Sequence, residues 1–137
     1  MNYLIVSIIV AMGILTIVVL LGIYNAPEER LIKVINTNFS LKYTITGGKV
    51  LGSHADLQDK RLIISIETTG DGKLTVTIPR ALVDAKIHDN LDDSFFVLAD
   101  GEEVFPFVET KTMKDRTLII PIENGNQEIE IIGSAPL

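Results

Sequence analysis

The chain has 137 residues, with 12 basic and 18 acidic side chains, a net charge of −6 and no cysteine. Without cysteine there can be no disulfide, thiolate zinc site, iron–sulfur cluster or type 1 copper site. The acidic balance, with no basic cluster interleaved with aromatics, argues against nucleic acid as a partner and gives no reason to lie on anionic lipid.

The first element is Tyr3 to Tyr24, YLIVSIIVAMGILTIVVLLGIY, which holds no charged residue; the first charge in the chain is Glu28. As a helix this stretch rises roughly 33 Å, enough to cross a hydrocarbon core of about 30 Å. The pattern predicts a single membrane-spanning helix, with residues 3–24 in contact with lipid. A cleaved signal peptide is the rival. It needs a basic n-region, a shorter apolar core and small residues before the cut. Here the N-terminus carries only its α-amino charge, and the best cut, after Ala26, has Tyr24 and Pro27 around it. Arg30 and Lys33 follow the helix and favour a domain on the cytoplasmic side. Asn38-Phe39-Ser40, an N-glycosylation sequon, favours the outside. The expected organisation is residues 1–27 as anchor, 28–38 as juxtamembrane connector and 39–137 as one β domain. Roughly 110 residues after the anchor is a common size for one core.

Pro27 ends the helix. Leu31–Ile35 reads as a first strand within the connector. Leu41, Tyr43 and Ile45 alternate with polar residues, and Gly47-Gly48 predicts a turn into a short Lys49–Gly52 segment. Leu62, Ile64 and Ile66 alternate again. Thr69-Gly70-Asp71-Gly72 predicts a hairpin turn before Leu74, Val76 and Ile78. Arg80–Lys86 has room for one or two helical turns, and residues 89–94 form a polar loop. Phe95–Leu98 predicts a central strand. Asp100-Gly101 predicts a type I′ hairpin that returns along Glu102–Glu109. Leu118, Ile120 and Ile122 form a strand, with Pro121 on its outer face suggesting an edge. Asn124-Gly125 predicts a second hairpin into a strand carrying Ile129 and Ile131. Short strands at this spacing, with at most one short helix, predict an all-β fold: an immunoglobulin-like antiparallel β-sandwich behind one N-terminal transmembrane helix.

Three stretches carry a resemblance: LTVTIPRALVDA (74–85), DDSFFVLADGEEV (92–104) and RTLIIPIENGNQEIEIIG (116–133). They resemble a β-sandwich domain common in secreted and surface proteins of ammonia-oxidising archaea. Those proteins often end in a PEFG-type sorting signal and a C-terminal anchor. This chain differs, with its apolar segment at the other end. The resemblance implies an extracytoplasmic domain, which outweighs Arg30 and Lys33, and makes the ammonia monooxygenase complex a candidate host.

No catalytic constellation stands out. Ser53, His54 and Asp56 have the residue types of a hydrolase triad without its usual dispersal along the chain, and no G-x-S-x-G elbow exists. His54 and His88 could share a copper or zinc ion only if the fold united them. Asp89, Asn90, Asp92 and Asp93 form an oxygen-rich loop, so Asp89, Asp92 and Asp93 are the candidate calcium ligands. Their spacing is not that of an EF-hand, and turn formation explains them equally. Glu102-Glu103 and Glu128/Glu130 read as charge on exposed faces rather than a catalytic pair. Among Phe95, Phe96, Phe105 and Phe107, strand alternation predicts Phe95 and Phe107 in the core, unless one pair marks a partner surface. The expected function is a non-enzymatic accessory or structural subunit of a membrane or cell-envelope complex. It needs no cofactor, and its partners are other membrane or envelope proteins. The alternatives are a pilin-like filament subunit and a metal-binding extracytoplasmic domain.

Overall fold

The computed structural model describes residues 26–88 and 91–134. The expected membrane helix and the Asp89-Asn90 step of the acidic loop lie outside the described residues. The described chain is all-β. Its strands are β1 (Arg30–Ile35), β2 (Ser40–Asp56), β3 (Arg61–Pro79), β4 (Lys86–Ile87), β5 (Leu91–Asp92), β6 (Phe96–Ala99), β7 (Glu102–Glu103), β8 (Val108–Lys111), β9 (Asp115–Ile122) and β10 (Glu128–Ile132).

Two expected turns are not turns. β2 runs unbroken through Gly47-Gly48, and β3 runs unbroken through Thr69–Gly72. They pair antiparallel from Lys42↔Thr77 to Asp56↔Arg61, with register shifts between Thr46 and Gly48 and between Val50 and Gly52. The chain reverses instead at residues 57–60, where Lys60 takes φ 53° and Asp59 N donates to Asp56 Oδ1 at 3.2 Å. The glycines let the ribbon bend where its register shifts and its two backbones approach closely. A Cβ on Gly72 would run into the Thr46 carbonyl oxygen, and one on Gly47 (φ 77°) would lie 2.7 Å from the carbonyl oxygens of Gly70 and Asp71.

The bend lets one ribbon serve two layers. Beyond it β3 changes partner: Arg61–Ser65 pairs with β10, and Gly72–Pro79 pairs with β9. β6 and then β7 extend the β10 side, while β8 extends the β9 side. The inward faces meet in one core. Leu62, Ile64, Ile66, Val97, Ile129 and Ile131 come from one layer; Leu41, Leu74, Val76, Ile78, Leu118, Ile120 and Ile122 come from the other. Period-two alternation had marked all but Val97 of these, and each fully buried aliphatic contributes about 1.5–3 kcal/mol. β1 belongs to the sheet rather than to a free connector. Arg30–Lys33 lies along Tyr43–Ser40, Val34 and Ile35 run parallel to Ser53 and His54, and Val34 is fully buried.

Arg80–Lys86 forms no helix. Leu82 N and Val83 N both return to Pro79 O, and the chain then enters β4. Asp100-Gly101 is the expected hairpin turn, with φ of 50° and 85° and Ala99 opposite Glu102. Its return strand is only Glu102–Glu103; the chain then leaves for β8 at the border of the other layer. Asn124-Gly125 makes no hairpin, since β9 and β10 do not pair with each other. It is an arch between layers. Gly125 N donates to Thr68 Oγ1 at 2.7 Å, Asn124 N donates to Asp71 Oδ1 at 2.8 Å, and Glu128 N donates to Asp100 Oδ1 at 2.9 Å. Pro121 lies within a strand paired on both sides, two residues past Ile119, which faces Val108 at the start of β8. No ladder bond from β8 is asked of its missing N–H.

Candidate functional site

The densest chemistry among the described residues is a charged cluster at the end of the domain where the 80–94 segment meets β8 and β9. Its centre is Arg116. On β9 this residue shares the inward face with Leu118, Ile120 and Ile122, so the strand period drives its side chain inside, where it is 0% exposed. Its guanidinium lies over the Phe95 ring at 4.9 Å from the centroid. Arg116 Nε is 3.3 Å from Asp84 Oδ1 and 3.5 Å from Glu109 Oε1, and Nη2 is 3.4 Å from Asp92 Oδ1. None of these contacts has hydrogen-bond alignment. The charge is balanced by proximity and by the ring face rather than by directed bonds.

Arg80 does the bonding that Arg116 does not. Its Nη1 and Nη2 donate to the two Asp92 carboxylate oxygens at 2.7 and 2.9 Å, and its Nε donates to Thr112 O at 2.9 Å. Asp84 lies 3.4 Å from the same guanidinium, and Lys86 Nζ lies 3.6 Å from Asp92. Three cations (Arg80, Lys86, Arg116) thus meet three carboxylates (Asp84, Asp92, Glu109). The hydrogen bonds from Arg80 hold the Asp92 carboxyl well below the usual carboxylate range against a smaller opposing effect of burial, with help from Arg116. The same bonds push Arg80 above its ordinary value. A general acid or base works best with a pKa near the operating pH, and these shifts move both groups away from it. The cluster ties a loop with little ladder pairing to two strands.

Where they are described, the residues singled out in the sequence have separate surroundings. Ser53 is buried and donates to Lys33 O at 3.2 Å, while His54, next along β2, is exposed on the other face. Asp56 lies 3.5 Å from Arg61. His88 sits in a turn with φ 61°. Of the calcium candidates, Asp92 is engaged by Arg80. Asp93 accepts from Ser94 N at 2.8 Å and from Ser134 Oγ at 3.3 Å, and Asp89 lies outside the described residues. Among the described residues no group of three or more His, Asp or Glu could hold a metal ion. Glu102 and Glu103 are exposed; Glu130 lies 3.5 Å from Arg61. Phe95 is buried and Phe107 packs against the core, whereas Phe96 and Phe105 are exposed. The four do not lie on two paired strands, because Phe107 has crossed to the β8 side.

Of the cluster, only Asp92 stood out in the sequence; Arg80, Asp84, Lys86, Glu109 and Arg116 did not. The signal for Arg116 was present: it occupies the position two before Leu118 in a strict alternation, where an apolar residue is expected.

The border of β8 carries the other feature of note. β8 pairs only with β9, so its far side is an open edge. Around it Phe105 is 81% exposed and Met113 97%, and Val108 is exposed on the strand itself. A concavity of about 450 Å³ opens beside Met113, lined by Arg80, Lys86, Asp92, Lys111 and Thr112. No family model, curated protein or solved structure matches the chain.

Proposed function

We propose that this protein is a membrane-anchored, extracytoplasmic β-sandwich of immunoglobulin-like architecture that acts as a non-catalytic subunit of a membrane or envelope complex. Residues 3–24 hold it in lipid, and the β domain works by surface contact. The observation that carries this reading is the contrast between the two featured regions. The charges of the cluster balance one another, by directed bonds at Arg80 and by proximity at Arg116, while Phe105, Val108 and Met113 turn large apolar surface to water beside an unpaired strand edge. Exposed apolar groups at an open edge are what a protein partner covers. An envelope assembly of an ammonia-oxidising archaeon, the ammonia monooxygenase complex included, is the host that the sequence resemblance suggests.

A photocrosslinking residue at Met113 tests this in native membranes, with one at Asp59, on the far hairpin, as the comparison. The reading expects a discrete protein adduct at Met113 and none at Asp59. Equal labelling at both sites, or migration of the detergent-extracted protein as a lone monomer with no adduct, overturns it.

A further inference from the structure

We propose that Asn38 carries an N-linked glycan that shields the β1 edge of the domain. Asn38-Phe39-Ser40 is the single Asn-x-Ser/Thr triplet of the chain. The inference rests on the extracytoplasmic placement argued above, because glycan transfer to such triplets takes place on that side of the membrane.

The triplet sits in the connection between β1 and β2, and the backbone there is held tightly. Val34 N donates to Phe39 O at 2.9 Å, Thr37 Oγ1 donates to Val34 O at 2.9 Å, and Phe39 N donates to Thr37 Oγ1 at 3.0 Å. Phe39, the middle residue, packs against the core. Asn38 and Ser40, either side of it, are both exposed. The two groups that define the triplet therefore face solvent together, anchored by an inward aromatic between them. Among the described residues no hydrogen bond holds the Asn38 carboxamide, so derivatising it breaks nothing in the fold. Beside it lies a shallow concavity of about 350 Å³, lined by Lys33, Ile35, Asn36 and Thr37, with room for a first sugar ring.

The chemistry is a transfer. The Asn38 amide nitrogen bonds to the anomeric carbon of a sugar carried on a polyprenyl phosphate or diphosphate. The sugar–phosphate C–O bond breaks, the phosphate-bearing lipid leaves, and the amide gives one proton to a base of the transferase. The product places a hydrophilic mass next to β1, which is the first strand of the sheet and exposes Leu31 (71%) and Ile35. Strand edges with exposed apolar residues invite pairing with other chains, and a bulky polar group beside the edge opposes it.

The test is the intact mass of the full chain purified from its native membranes, alongside N38Q, S40A and S40T. The expected result is a mass above that of the polypeptide for the native chain and S40T, falling to the polypeptide mass in N38Q and S40A. Digestion of intact cells with a membrane-impermeant protease reports the side of the membrane separately. An unmodified Asn38 on a domain the protease reaches overturns the glycan and leaves the placement standing. A protected domain overturns the placement and this inference with it.

Discussion

Phe95 and Arg116 face each other, ring against guanidinium, at the point where the 80–94 segment closes on β9. The aromatic face supplies part of what aligned hydrogen bonds do not, and Asp84, Asp92 and Glu109 supply the rest. Removing the cation leaves the Glu109 carboxylate without its ion partner in a mostly dry place, while Asp84 and Asp92 keep Arg80. R116M is expected to lower stability by about 3–5 kcal/mol, and R116M/E109Q to recover part of that loss. E29Q, which breaks an exposed pair with Lys42, is expected to change it by about 0–1 kcal/mol. Urea unfolding midpoints check all three; equal effects from R116M and E29Q would refute the role given to Arg116.

Phe95 and Phe105 lie at opposite extremes of exposure. F95A, which empties a buried site and removes the ring under Arg116, is expected to cost about 3–5 kcal/mol. F105S, at a position 81% exposed, is expected to stay within about 0.5 kcal/mol of the parent and to reduce crosslinking at Met113. Thermal melts and the crosslinking yield read the two effects independently.

The ribbon bend predicts a contrast between glycines two positions apart. G72A drives a methyl group into the Thr46 carbonyl and is expected to destabilise by about 1–3 kcal/mol. G70A meets nothing within 4 Å and is expected to be neutral or slightly stabilising, by up to about 1 kcal/mol. If both substitutions behave alike, the bend is not where the ribbon places it.

Acid should weaken the fold through two named carboxylates. Burial raises the Asp100 pKa, but hydrogen bonds from Gln127 N, Asn126 Nδ2 and Glu128 N outweigh it and lower it. Asp92 is lowered by Arg80. A carboxylate lowered by folding contributes its stability above the unfolded value, near pH 4, and loses it as pH falls through the folded value. Denaturant midpoints are therefore expected to be flat at neutral pH and to drop below about pH 4. D100N keeps a residue type that tolerates the positive φ of this turn, and is expected to flatten that drop. An unchanged acid limb in D100N and D92N would remove both groups from the account.

Much of the core was legible because it depends only on period two. Leu62, Ile64, Ile66, Leu74, Val76, Ile78, Leu118, Ile120, Ile122, Ile129 and Ile131 are all buried, as alternation requires. Connectivity was not, for a definite reason. Glycine signals backbone freedom, and a bend within a strand uses that freedom as readily as a reversal does. Gly47-Gly48 and Gly70-Asp71-Gly72 therefore looked like turns, while the real reversal at Leu57–Lys60 holds no glycine. Asn124-Gly125 is a turn as its residues demand, but whether the flanking strands pair is decided by what else β3 can bind. The charged cluster was hidden for another reason. Arg80, Asp84, Asp92, Glu109 and Arg116 are scattered along the chain, and only the closing of the loop onto β9 unites them.

A strand that lies in both layers leaves the molecule without a seam. Prising the β10 side from the β9 side would require breaking β3 in its middle, where Gly72 and Thr46 are pressed together. The domain should therefore have no half-open state and should come apart in one cooperative step. Tension arriving through residue 26 would meet β1, laced to both ends of β2, before it reached any other part of the fold. In the tethered module proposed above, the load would therefore fall first on an edge strand paired with β2 alone.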